Sequence, residues 1–147
     1  MMGLEWGGLF KIEPEKLLTQ GNISEQFAAQ HLTIRSPQSS SSELYYWLRS
    51  GKKGAAEVDF ILAECSTIIP LEIKSGANGK MRSLWQLIAE KNLLLAVKLD
   101  LSYNKELTSQ VFHKVQMRNE TKQINCKLLT VPLYAIENIC SLIEESI

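Results

Sequence analysis

Val58-Asp59-Phe60-Ile61-Leu62 and, just beyond it, Ile68-Ile69-Pro70-Leu71-Glu72-Ile73-Lys74 are the two runs whose reading decides the fold. Both are rich in β-branched and aromatic residues, and charged residues interrupt or end them, so both read as strands. Glu64-Cys65-Ser66 makes the turn between them, giving a hairpin. Pro70 weakens the start of the second strand because it cannot donate to a ladder. Twelve residues stand between Asp59 and Glu72, and the hairpin folds that distance back on itself. Side chains alternate along a strand, so Glu72 and Lys74 share one face while Leu71 and Ile73 take the other. Asp59, between Val58 and Phe60, leaves the apolar face of its own strand and can meet Glu72 across the hairpin. Asp59 and Glu72 are therefore candidate metal ligands. Together with the Ile73 carbonyl they suit one hard cation, Mg2+ or Mn2+, with positions left for water and a phosphate oxygen. Lys74 would orient or deprotonate the attacking water, or offset charge on the pentavalent phosphate. By spacing alone, the same residues also fit a solvated strand face with a Glu-to-Lys pair and an unrelated Asp.

Outward from the hairpin, residues 43–49 carry Tyr45, Tyr46 and Trp47 and read as a preceding strand, joined by a turn at Gly51-Lys52-Lys53-Gly54. Before it, Asn22 caps a helix running to about Leu32, with Ile23, Phe27 and Ala28 as its apolar stripe. Glu25 is a candidate fourth member of the site. It equally occupies the capping-box position three residues after Asn22. Residues 1–20 form a lead-in with a turn at Glu13-Pro14-Glu15 and one helical turn, and Ser36-Pro37-Gln38-Ser39-Ser40-Ser41-Ser42 is a polar loop. Downstream, Leu84, Leu87 and Ile88 recur at helical spacing within residues 80–91, and residues 93–97 read as a buried strand. Extended segments follow at residues 111–117 and 126–131, around a turn at Asn119-Glu120. A last helix opens at Pro132, with Ile136, Ile139, Cys140 and Ile143 on one face. The order helix, three strands, helix, strand predicts an α/β fold with a mixed central sheet flanked by helices.

With 147 residues, 45% of them hydrophobic, the chain suits one domain, residues 1–147, with a sizeable core. No apolar run approaches bilayer length and the N-terminus lacks a secretory pattern, so the expectation is a cytoplasmic protein with no membrane partner. Cys65, Cys126 and Cys140 are odd in number and widely spaced, which suits reduced thiols. Neither His31 nor His113 has the paired spacing of a zinc site. The net charge of zero restricts any nucleic-acid surface to a local patch. Arg49, Lys52, Lys53, Lys80 and Arg82 around the hairpin are its candidates, although Glu57, Glu64 and Glu90 are interspersed. Tyr45, Tyr46 and Trp47 would stack on bases or, by alternation, pack against the sheet. Gln86 would contact a phosphate or simply face solvent.

Glu25, Asp59 and the triplet Glu72-Ile73-Lys74 resemble the site of the PD-(D/E)xK, or restriction-endonuclease-like, nucleases. The resemblance narrows further. Gly21-Asn22-Ile23-Ser24-Glu25-Gln26-Phe27-Ala28-Ala29, Tyr45-Tyr46-Trp47, Glu57-Val58-Asp59-Phe60-Ile61, Pro70-Leu71-Glu72-Ile73-Lys74-Ser75-Gly76 and Leu129-Thr130-Val131-Pro132-Leu133-Tyr134 together resemble domain-of-unknown-function family 4143. That domain ends many prokaryotic AAA-type ATPases. The resemblance implies a restriction-endonuclease-like core and makes Asp59 and Glu72 the metal positions and Lys74 and Glu25 the catalytic ones. It also implies DNA as substrate and an AAA-type ATPase module as partner, the chain being the tail of such an ATPase or a stand-alone remnant. No Gly-rich loop ending Gly-Lys-Ser or Gly-Lys-Thr occurs here, so ATP is not bound by that device.

Overall fold

The computed structural model describes residues 7–12, 23–34, 44–51, 55–64, 67–74, 81–101 and 107–147. A mixed seven-stranded sheet runs through them, built from β1 (Leu9–Lys11), β2 (Tyr45–Arg49), β3 (Ala56–Glu64), β4 (Thr67–Lys74), β5 (Leu95–Asp100), β6 (Leu107–Gln116) and β7 (Thr121–Pro132). Three helices, α1 (Ile23–Ile34), α2 (Arg82–Lys91) and α3 (Ile139–Ser146), join it, with a 3-10 turn at Leu133–Asn138 leading into α3. The spatial order is β1-β2-β3-β4-β5-β7-β6. From β1 to β4 neighbours are antiparallel, then β4, β5 and β7 run parallel, and β6 returns antiparallel to β7. Parallel neighbours need a crossover, which α2 provides between β4 and β5.

Each face of the sheet has its own core. Phe60, Leu62, Ile69, Leu71, Ile73, Val97, Leu99, Leu129 and Val131 pack against α1, the 3-10 turn and α3. Val58, Ile61, Ile68, Ala96, Cys126 and Leu128 pack against Leu84, Leu87, Ile88 and Ala89 of α2. Strands covered on both sides read as near-continuous apolar runs, which is why β4 and β5 stand out in the sequence. Pro70 sits inside central strand β4, opposite Ile61 of β3. The parallel ladder to β5 begins only at Leu71 and Val97, so the missing N–H falls before that ladder opens.

Several elements depart from expectation. The lead-in contributes strand β1. On α1 the buried residues are Ser24, Ala28, Ala29 and Leu32, while Ile23 is 84% exposed; the inward face begins one residue after the expected stripe. Asn92, at φ 54° in the left-handed region, ends α2, and its backbone reversal delays β5 to Leu95. Leu94 is consequently exposed. The β6–β7 hairpin is longer than expected because its outer halves alternate exposed and buried residues rather than forming apolar runs. Pro132 closes β7 instead of opening a helix, its φ of −56° and ψ of 140° being extended backbone. Asn22, Pro14, the serine-rich loop, Cys65, Lys52, Lys53 and Lys80 lie outside the described residues. Among the described residues no helix is long and apolar enough to cross a membrane.

Candidate metal and phosphodiester site

The site begins with an irregularity in β3. Tyr45 pairs with Ile61 but Trp47 pairs with Val58, so two steps along β2 match three along β3. This is a bulge of one extra residue, a device that re-aims a side chain. It places Val58 and Ile61 in the α2-side core and Phe60 in the opposite one. Asp59 lies at the bulge. The β3–β4 ladder ends at Phe60 and Leu71, and beyond it the Ile73 amide donates to Asp59 Oδ2 at 2.8 Å. A side-chain carboxylate thus takes over where β3 and β4 separate.

Across that gap stands Glu72, 4% exposed. Its Oε1 accepts from Lys74 Nζ at 2.7 Å, whereas its Oε2 is buried with no hydrogen-bond partner among the described residues. Burial, reinforced by the charge of Asp59, pushes the Glu72 carboxyl up to about 7. Burial also raises Asp59, although the Ile73 amide and Lys74 pull against it. Burial works against the charge on Lys74, but its hydrogen bond to Glu72 and the charges of Glu72, Asp59 and Glu25 outweigh this and raise its pKa. The structure brings Asp59, Glu72 and Lys74 together, while Glu25, in the first turn of α1, adds only its charge toward the raised Lys74.

Two desolvated carboxylates facing each other, one with an orphaned oxygen, form an arrangement that a hard cation would relieve. Asp59 and Glu72 are the carboxylates that could hold a divalent cation there. Among the described residues no group of three or more His, Cys, Asp or Glu side chains gathers at metal-binding distance. The Lys74 ammonium holds one oxygen of Glu72.

The neighbouring strand adds a feature that the sequence reading missed. Lys98 stands beside Glu72 and Asp100 beside Lys74 in the parallel register. Lys98 Nζ lies 2.6 Å from Asp100 Oδ2, with Asp100 fully buried and Lys98 9% exposed. Glu72, Lys74, Lys98, Asp100 and Thr130 therefore form a polar band on the α2 face of three parallel strands, while Ile73, Leu99 and Val131 fill the other face. The alternation Ala96, Lys98, Asp100 within an apolar run carries the signal. It was obscured by reading the strand as ending at Val97.

The other candidates fall outside the cluster. Arg49 pairs with Glu90 at 3.4 Å. Trp47 is fully buried, and Tyr46 stacks on Phe10 with ring centroids 5.4 Å apart. His31 pairs with Glu137 at 3.1 Å and packs against Phe27 with its ring tilted by 39°. Gln86 lies half-buried on α2.

The family model described as Domain of unknown function (DUF4143) matches residues 20–131. That range includes every residue of the site, from Glu25 through Asp100. A search of curated proteins finds no match.

Proposed function

The chain belongs to domain-of-unknown-function family 4143, and on that premise we propose that it is a metal-dependent nuclease domain with a restriction-endonuclease-like core, hydrolysing DNA phosphodiesters. The observation that carries this reading is the confrontation of Asp59 and Glu72 where β3 and β4 part, with Lys74 in contact. When bound, Mg2+ or Mn2+ would neutralise the phosphate and lower the pKa of a water molecule beside it. Asp59 and Glu72 hold that cation. Their ionisation, disfavoured by burial and mutual repulsion, becomes favourable in its presence. Lys74, its pKa raised, stays protonated at neutral pH and so acts as a donor rather than a base. It orients the attacking water or a phosphate oxygen and offsets charge developing in the transition state. Glu25 steadies the Lys74 ammonium from α1. An AAA-type ATPase module is the partner that the resemblance suggests.

Incubation with plasmid and single-stranded DNA plus Mg2+ or Mn2+ tests the reading. Asp59→Ala and Lys74→Ala should each abolish cleavage, and cleavage indifferent to both would overturn the site. The ion pair between Lys74 and Glu72 favours one second reading: a non-catalytic module binding nucleic acid or regulating an attached ATPase, in which the lysine substitutes for the cation. Calorimetry separates the two. The nuclease predicts heat on adding Mn2+ that Asp59→Ala removes, and the module predicts none.

A further inference from the structure

On the sheet face that carries Glu72 and Lys74, a pocket of about 280 Å3 opens between the start of α2 and the outer strand β6. Trp85 and His113 form its aromatic wall, with ring centroids 5.8 Å apart and planes inclined at 44°. Met81 lies beside them and Arg82 stands exposed at the rim; Lys114 and Gln116 border the pocket along β6, their side chains turned by alternation to the other face of the sheet. Arg82 has no ion-pair partner among the described residues. The packing beneath is independent of these rim residues: Leu84, Leu87 and Ile88 fix α2 to the sheet.

A flat half-buried indole, an imidazole tilted against it and an unneutralised guanidinium at the rim match a ligand that is planar and apolar on its faces and anionic at one side. A nucleotide has that form, provided its base is unpaired, because a duplex already uses both base faces in its own stack. We propose that this pocket is a subsite for one unpaired nucleotide of a single strand, its base stacking on Trp85 beside His113 and its phosphate meeting Arg82. The assignment rests on the nuclease reading and extends it from the cutting centre to the flanking strand. Arg82 follows Lys74 by eight residues, a connection spanning at most about 28 Å at roughly 3.5 Å per residue. A few nucleotides of extended strand bridge that distance.

The test is fluorescence anisotropy with a labelled oligothymidylate of about 12 nucleotides, in EDTA so that nothing is cut. Its arms are the intact oligomer and the same oligomer made abasic throughout. Trp85→Leu should weaken binding of the intact oligomer on the order of ten-fold, the usual worth of one stacked base. Trp85→Phe should restore most of that loss. The abasic oligomer should bind wild type weakly and lose nothing further with Trp85→Leu. Arg82→Gln should weaken binding and flatten its salt dependence. The proposal is overturned if folded Trp85→Leu binds like wild type, if intact and abasic oligomers bind alike, or if no oligomer binds. Should Trp85→Leu fail to melt cooperatively, His113→Ala and Arg82→Gln carry the test, since these side chains are exposed. Binding that depends on Trp85 without any cleavage sinks the nuclease reading alone, and cleavage by Trp85→Leu with undiminished binding sinks the subsite alone.

Discussion

Glu72 is held against its own charge. Burial and the facing Asp59 raise its carboxyl to about 7, and Oε2 has no hydrogen bond among the described residues to offset the loss of water. Glu72→Gln removes the cost of ionisation while keeping shape and an acceptor for Lys74, whose own side chain is partly exposed and keeps access to water. In EDTA at about pH 8 the variant should melt several degrees above wild type, since a penalty of a few kcal/mol shifts Tm by roughly 2–4 °C per kcal/mol in a chain of this size. The same variant should lose any rise in Tm with added Mn2+. A lower melting point in EDTA, or an undiminished Mn2+ response, would contradict the assigned electrostatics. Gly8 is constrained in a different way. Its φ of 86° is in the left-handed region, and a Cβ there would lie 2.3 Å from the Leu48 carbonyl oxygen. The Gly8 carbonyl meanwhile accepts from the Leu48 amide at 2.8 Å, so relieving the clash strains the junction of β1 with β2. Gly8→Ala should cost about 2 kcal/mol or more in urea denaturation; a neutral result would mean that β1 yields freely.

At the scale of elements, the hairpin and its carboxylates were legible because strand alternation is local: Leu71, Ile73 and Glu72, Lys74 separate by face whatever surrounds them. The β3 bulge was not. It exists only in the register with β2, where Tyr45 and Trp47 meet Ile61 and Val58, and no property of Asp59 or Phe60 alone announces it. The limits of β5 were misread because charged residues ordinarily mark strand ends, yet Lys98 and Asp100 lie inside the sheet with β4 and β7 on either side. The expected stripe of α1 failed at Ile23 because hydrophobicity does not say which residue of the first turn faces the sheet. The β5 ion pair carries a prediction of its own. Lys98→Met leaves the fully buried Asp100 without its 2.6 Å partner and should destabilise the fold by roughly 3–5 kcal/mol. The double variant Lys98→Met/Asp100→Leu should recover most of that stability, because it removes both desolvated charges. Urea melts of the three variants decide it, and additive losses in the double variant would show that the two residues do not act as a pair.

For the whole molecule, the buried carboxylates link stability to pH and to divalent cations. The Glu72 carboxyl rises from 4.5 to about 7 on folding, so between those values the folded chain binds more protons than the unfolded one. Stability therefore falls as pH rises through that window and levels off above it. Asp59 shifts in the same direction and adds to the slope. The raised Lys74 makes a contribution of opposite location, present at neutral pH and lost only as alkaline pH exceeds its folded pKa. Many other carboxylates titrate in the acid range, so the difference between wild type and Glu72→Gln isolates the effect. Their Tm values should converge near pH 4.5 and separate progressively up to about pH 7, Glu72→Gln being the more stable. Added Mn2+ competes with the proton for the same oxygens. It should raise wild-type Tm little at about pH 5 and increasingly toward about pH 8, with a dependence on concentration as expected for a ligand of the folded state. Thermal melts across that range, with and without Mn2+, supply both curves. A constant separation from Glu72→Gln would place the titration elsewhere. A Mn2+ response independent of pH would mean that the cation binds away from Asp59 and Glu72, because occupation of this pair has to displace the proton that burial holds there.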